Sequence, residues 1–365
     1  MTCLAWRVPA LTSLALWSCL GVASSVSPSV SFVDPLDVAA ISVQNVGAKP
    51  VAAVVLAGSR LVAVGMRGII LFSDDQGSTW SQAQVPVQSD LTAVYFVDAK
   101  IGWAVGHDGM ILRSEDAGVH WQRQLDGRAA AENFKSFYQR RSAAGEQGLD
   151  RWLAEIERNY GSGPGLPYLD VLFEDARHGY AVGSFGTLSV TSDGGATWQP
   201  GYELIDNPNL LNLNAIRRIG EQVYIAGEQG SVFRLNRSSQ RFERLDSGYT
   251  GSFFGLVGKG DRLLAFGLRG AAYLSQDAGQ HWIPVNVGEQ ALLSAGTLLP
   301  DGRVALASIA GRFWTSSPDW SSFTPQMAPR PAILTGIASL QGRLVLSSLA
   351  GMQAQGVGEI SAPKQ

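Results

Sequence analysis

The stretch LFSDDQGSTWSQ, Leu71 to Gln82, sets two adjacent carboxylates, Asp74 and Asp75, beside a glycine and Trp80. Read alone it suggests an acid/base pair or a metal loop. The chain repeats it, however, as SEDAGVHW (114–121), TSDGGATW (191–198) and SQDAGQHW (275–282). Every copy keeps Ser or Thr, then Asp, Gly and Trp: Asp75 with Trp80, Asp116 with Trp121, Asp193 with Trp198, and Asp277 with Trp282. The other acidic position varies as Asp74, Glu115, Ser192 and Gln276, so the carboxylate pair is incidental. An Asp that accepts from backbone amides a few residues on, followed by a Gly free to take positive φ, is turn chemistry. These eight Asp-box residues are read as structural, each Trp being the first inward residue of a returning strand.

A second signal fixes the repeat unit. Twelve residues before each motif Trp stands the closing Gly of a V/F-G-x-x-G turn: Gly68, Gly109, Gly186 and Gly270. The same offset finds worn copies, pairing Gly230 with Phe242 and Gly311 with Phe323, and Gly351 closes a seventh turn. The seven glycines are spaced 41, 77, 44, 40, 41 and 40 residues apart. Each unit reads as four short alternating strands, for example LTAVYF, GWAVG, GMILRS and HWQRQL. Four-stranded units of this pitch, seven times over, predict an all-β, seven-bladed β-propeller. The last unit runs short of an outermost strand, so DVAAISVQN, Asp37 to Asn45, is expected to complete it and close the ring.

The long interval holds an insertion, Gly127 to Pro167, whose periodicity changes. Phe134, Phe137 and Tyr138 fall at i, i+3, i+4; Leu149, Trp152, Leu153, Ile156 and Tyr160 follow a helical stripe too. Two amphipathic helices between blades 2 and 3 are predicted. Their aromatics either anchor a partner or cap the propeller, and the blades themselves are expected to need no residue from the insertion.

Composition narrows the function. With 42 Gly, 10 Trp and 16% charged residues the chain suits a large β-repeat domain, and a net charge of −3 gives no electrostatic case for nucleic acid. Residues 1–25 carry Arg7, an apolar run from Leu11 to Leu20 and small residues at Ala23 to Ser25, the pattern of a secretory signal. The expected domain is then residues 26–365, exported to a periplasm or lumen. Both cysteines, Cys3 and Cys19, lie in the signal; a competing pattern, LWSC ending at Cys19, resembles a lipoprotein cleavage box with Trp17 out of place. Four histidines, His107, His120, His178 and His281, are spread over separate turns and make no metal cluster, and no phosphate loop or nucleophile elbow occurs. No cofactor is expected.

The turns between second and third strands open on one propeller face with the links between blades. They are Met66-Arg67, His107-Asp108, Ser184-Phe185, Glu228-Gln229, Leu268-Arg269, Ile309-Ala310 and Leu349-Ala350. From these, Arg67, His107, Asp108, Phe185, Glu228, Gln229 and Arg269, with Arg140 and Arg141 of the insertion, are the expected partner-binding residues.

The Asp boxes are similar to the bacterial neuraminidase repeat. The fuller unit, VGHDGMILRSEDAGVHW, resembles the photosystem II stability/assembly factor family of seven-bladed propellers, from about Val51 to Ile360. That resemblance implies a non-catalytic assembly factor, monomeric, holding a membrane or envelope protein; homologous propellers also occur in bacteria without a photosystem. The alternatives are a sialidase-like glycosidase and an accessory protein of an envelope transporter. A sialidase would need an Arg triad and a Tyr nucleophile, whereas the central turns offer only Arg67 and Arg269, with Glu228 and Asp108. The helical insertion departs from the plain repeat and leaves the partner open.

Overall fold

The computed structural model describes residues 33–356; the expected signal segment, Cys3 and Cys19 lie outside them. Seven antiparallel sheets follow one another along the chain, six with four strands and the last with three. In the first blade these are β1 (Val51–Ala57), β2 (Arg60–Gly65), β3 (Ile70–Ser73) and β4 (Ser81–Gln82), paired in sequence order. The later blades occupy residues 91–125, 168–200, 213–246, 253–284, 293–327 and 334–356. The seven-bladed propeller expected from the glycine spacing is the fold.

Each first strand faces the axis. Together these strands line a central channel with a cavity of about 520 Å³. Second and third strands are buried between neighbouring sheets, where Val62, Val64, Ile70, Ala104 and Leu112 form one inter-blade core and equivalents recur around the ring. Burial on both sheet faces explains why second strands such as RLVAVG and RLLAFG read as nearly continuous apolar runs.

A bulge at the second residue of most first strands turns a side chain toward the next blade. There Thr92 Oγ1 donates to Tyr168 O at 2.7 Å, Asn214 Nδ2 to Phe253 O at 2.7 Å, Ser294 Oγ to Leu334 O at 2.8 Å, and Thr335 Oγ1 to Val51 O at 2.7 Å. The last of these crosses the seam between blade 7 and blade 1. The same seam carries an apolar cluster joining Val54, Leu61 and Leu71 to Ala338 and Val345.

The N-terminal segment differs from its expected role. Asp37 to Asn45 forms no strand, and among the described residues the seventh sheet ends at Gln353–Gly356. Instead the segment is a strap over the outer end of blade 1. Gly47 O accepts from Met352 N at 2.8 Å on the blade 7 side, and Ala40 N donates to Val85 O at 2.9 Å. Leu36 is buried beside Val85 and Trp121, while Asp37 takes Arg128 in two hydrogen bonds of 2.9 and 2.7 Å. The alternation of DVAAISVQN reads as a strand, yet its partners are the polar side chains of Gln82 and Gln88, which bond to backbone at Ile41, Val43 and Ala39.

The insertion forms α1 (Gly127–Ala143) and α2 (Asp150–Tyr160). Asp126 caps α1 by accepting from Ala129 N at 2.9 Å. Phe134, Tyr138, Trp152, Ile156 and Tyr160 are all buried, in one cluster with Leu125, Tyr168, Trp198 and Tyr202 of the blades. The stripe is therefore a cap, continuous with the core of blades 2 and 3, and the blades do draw on residues of the insertion.

Candidate functional site

The Asp boxes come first, because they settle which face is which. In the first box Ser73 Oγ donates to Asp75 Oδ1 at 2.8 Å and itself accepts from Gly77 N at 2.9 Å. Asp75 then takes Thr79 N at 2.8 Å and Thr79 Oγ1 at 2.6 Å, and Trp80 Nε1 donates to Gly77 O at 3.1 Å. Asp116, Asp193 and Asp277 repeat this arrangement, with His120, Thr197 and His281 in place of Thr79. Trp121 and Trp282 close their turns as Trp80 does; Trp198 is buried but its indole N–H has no protein partner.

Both oxygens of each of these carboxylates bond within their own turn. The Thr79 hydroxyl, then the Thr79 amide and Ser73, hold the Asp75 carboxyl well below its ordinary 3.8, at about 2. The His281 amide and ring do the same at Asp277. A carboxyl lowered on folding stabilises the fold above its ordinary value and loses that contribution as the pH falls through the folded value. The boxes should therefore hold down to about pH 4 and loosen toward pH 2, read as near-ultraviolet circular dichroism on acid titration. Asp116→Ala and Asp193→Ala should each cost about 0.5–2 kcal/mol in denaturant unfolding. A variant that kept full stability would remove the structural assignment for that turn.

The boxes sit with the turns between first and second strands, since Ala117, Gly194 and Ala278 donate through N–H to Lys100 O, Arg177 O and Asp261 O at 2.8–2.9 Å. The opposite face carries the seven glycine turns. Each glycine turn bonds to the link between blades: Gly68 N to Ser89 O at 2.9 Å, Leu268 N to Ser252 O at 3.0 Å, and Leu349 N to Ile333 O at 3.1 Å. Both ends of the helical insertion meet this face, through Gly127 N to Asp108 O at 2.7 Å and Gly109 N to Leu166 O at 2.9 Å. The turns and the insertion share one side of the ring, as their order in the chain requires.

At the tips, Arg67, Asp108, Phe185, Gln229 and Arg269 all take left-handed backbone with φ between 51° and 57°. This conformation points their side chains out of the ring, and Arg67, Phe185, Gln229 and Arg269 are exposed, with His107 beside them. Three expected binding residues are already engaged. Asp108 accepts Ser89 Oγ at 2.8 Å; Glu228 takes Asn212 through its amide and side chain at 2.9 and 3.2 Å; Arg141 bridges Glu146 and Glu203. Arg140 stays exposed on α1, along a groove of about 300 Å³ shared with Asn133, Phe137 and Trp198.

The channel adds one charged pair. Asp170, buried, accepts Val171 N at 3.0 Å and Ile216 N at 2.9 Å and pairs with Arg217, so both of its oxygens are engaged. His120, His178 and His281 each face an Asp on the box side, away from His107. Among the described residues no group of three or more His, Cys, Asp or Glu gathers as a metal site, and no helix is long and apolar enough to cross a membrane. What the glycine-turn face offers is a broad, exposed, chemically mixed surface suited to docking.

The four apolar first tip residues fall outside the expected partner-binding set. Met66, Leu268, Ile309 and Leu349 are exposed apolar side chains on that face, as are Ile333 and Phe254. An apolar residue at a turn tip, where polar residues are the rule, is the signal that marks them.

Comparison with known proteins agrees with this geometry. The photosystem II assembly lipoprotein Ycf48 of Synechococcus sp. strain CC9902 is 34% identical over 119 residues, 31% of this chain and 35% of that protein. The photosystem II assembly protein Ycf48 of Synechococcus sp. strain JA-2-3B'a(2-13) is 29% identical over 181 residues, 44% of this chain and 51% of that protein. The chain thus aligns with between a third and half of the length of these relatives. A solved structure of YCF48 bound to D1 peptide superposes with a TM-score of 0.62 at 14% identity, covering 89% of this chain and 97% of that one, which supports the fold. The sequence pattern of the photosynthesis system II assembly factor YCF48 family matches residues 72–149 and 165–329, leaving out 150–164, where α2 lies. That match spans more than half of the chain, and the chain belongs to the YCF48 family of photosystem II assembly factors.

Proposed function

We propose that this protein is an exported, non-catalytic binding module that assists assembly or stability of a membrane or envelope protein, acting as a monomer. The observation that carries the proposal is the family match, joined to a propeller face whose tips are exposed while its carboxylates are internally satisfied. A face of that kind offers contact area without an acid/base pair to drive hydrolysis. Relatives named as assembly proteins, one of them a lipoprotein, and a fold neighbour solved with a D1 peptide support a polypeptide ligand and export to the lumenal or periplasmic side. Residues 1–25 are then the signal; in the competing form cleavage falls before Cys19, which is acylated and anchors the chain.

The polar half of the face, blades 2 to 4, is the proposed protein contact. It carries His107, Phe185 and Gln229 at exposed tips on the side of the ring where the insertion leaves and rejoins the blades, with Asp108 and Glu228 shaping the turns beneath; Arg140, farther along α1, lines a groove with Thr197 and Trp198 of the blade 3 Asp box instead. A photo-crosslinking phenylalanine analogue at Phe185, in cells, should form an adduct with a membrane protein. The same analogue at Gln280, on the Asp-box face, should not. Adducts from Gln280 and none from Phe185 would remove the proposal. Turnover of sialosides or aryl glycosides that vanished on Arg67→Ala or Arg269→Ala would establish an enzyme instead.

A further inference from the structure

Equivalent turns around a pseudo-symmetric ring do not carry equivalent residues here. The first tip residue is Met66, Leu268, Ile309 and Leu349 in blades 1, 5, 6 and 7, but His107, Ser184 and Glu228 in blades 2, 3 and 4. Blade 7 packs on blade 1, so the four apolar tips are consecutive around the ring. They are 46%, 40%, 39% and 41% exposed. Ile333, in the link beside Leu349, and Phe254, at the channel mouth, extend the arc. Arg67 and Arg269 close its two ends, and Arg330 stands in the link between blades 6 and 7, donating to Met352 O at 2.7 Å. Among the described residues none of these three arginines forms an ion pair. The nearest carboxylate contact is Asp90, which accepts the backbone amide of Arg67 at 2.7 Å rather than its guanidinium.

We infer that this arc is a membrane-contact surface, whose aliphatic tips enter the apolar edge of a bilayer while Arg67, Arg269 and Arg330 meet anionic headgroups. Exposed apolar arcs mark either protein or lipid partners, and three observations favour lipid. Leu268, Ile309 and Leu349 each donate a backbone N–H to a link carbonyl on this face at 3.0–3.1 Å, so these tips share one side of the ring. Each tip projects from its own turn with 39–46% of its surface exposed. The four tips are Met, Leu, Ile and Leu, without the Trp and Tyr that dominate protein hot spots. Unpaired cations beside projecting aliphatics are what an anionic interface attracts. The arc is the half of the face away from the helical insertion, so a protein partner on blades 2 to 4 and a lipid surface on blades 5 to 1 can be engaged at once.

The test uses the full chain with Cys3→Ser and Cys19→Ser and one new cysteine carrying an environment-sensitive fluorophore. With vesicles of phosphatidylcholine and phosphatidylglycerol, labels at Leu349→Cys and Leu268→Cys should shift to the blue, and a label at Gln280→Cys should not. The label reports its own surroundings, so attachment of the chain elsewhere does not mimic the shift. Met66→Ser with Leu349→Ser should weaken vesicle partitioning about tenfold or more. Arg67→Glu with Arg269→Glu should weaken it on the anionic vesicles alone. No shift at either tip overturns the inference, as does an equal shift at Gln280→Cys. A tip shift produced by detergent-solubilised membrane protein but by no vesicle assigns the arc to a protein partner and equally overturns it.

Discussion

Gly230→Ala should destabilise the propeller by about 3 kcal/mol or more, lowering the melting midpoint by at least about 4 °C. At this position φ is +62°, and an added Cβ would stand 1.8 Å from Tyr249 O and 2.6 Å from Tyr249 C. Neither atom is the movable end of a side chain. Gly230 N donates to Gly251 O at 2.5 Å, so the turn cannot retreat from the link without losing its own hydrogen bond. The closing glycine of the repeat is thus where the turn at the end of a second strand is pressed against the link leaving the blade; at Gly68 the corresponding distance, to Val87 O, is 2.0 Å. Gly220→Ala supplies the control, since φ there is +59° with nothing within 4 Å. It should cost only the left-handed backbone, about 1 kcal/mol. Equal losses in the two variants, by thermal or urea unfolding, would show that the close approach has no energetic weight.

Replacing residues 127–167 with a Gly/Ser linker should cost more still, lowering the midpoint by more than about 10 °C or abolishing cooperative unfolding. The helices cover Leu125, Tyr168 and Tyr202 of blades 2 and 3. Trp152 stacks on Tyr202 with ring centres 5.7 Å apart, and Tyr138 OH donates to Glu203 Oε2 at 2.7 Å. Trp152→Ala alone should remove about 3–5 kcal/mol by opening that contact. A linker variant that melted cooperatively at the parental temperature would mean the helices are peripheral to blade stability.

Much of this architecture was legible because its causes are local. A Gly demanded by positive φ and a linker carbonyl leaves the same mark wherever the turn occurs, and so Gly230, Gly311 and Gly351 could be found without their Asp boxes. The helices were legible for a similar reason, since burial of Phe134, Tyr138, Trp152 and Ile156 imposes the 3.6-residue stripe. Features set by distant partners were not. Asp37–Asn45 reads like a strand, yet it is held by Gln82, Gln88 and the Val85 carbonyl of blade 1's outer edge, contacts that only the folded chain supplies. In blade 6 the offset points to Phe323, whereas Trp320 is the buried indole, donating to Gly302 O at 3.0 Å, because the box there is shortened to Ser317, Asp319 and Trp320. At the candidate site, charged residues drew attention to the turn tips, but Asp108, Glu228 and Arg141 are occupied by neighbours that only the folded chain brings near. The apolar tips, whose signal is an apolar residue where a turn ordinarily carries a polar one, complete the face.

The seam between blades 7 and 1 has a temporal side. Thr335 and Val51 are 284 residues apart in the chain and Gln76 and Gln341 are 265 apart, yet both pairs bond across it. The strap spans the same gap, one part on blade 2 and the other on Met352. The contacts to blade 7 cannot form until that last blade exists, and the entropy of joining such remote residues must be met before they contribute anything. The ring therefore closes late. While it is open, blade 1 presents an uncovered sheet face whose natural cover is still being made. The seam is accordingly the stage at which a chaperone would find this protein, and the joint through which a closed ring would first breathe.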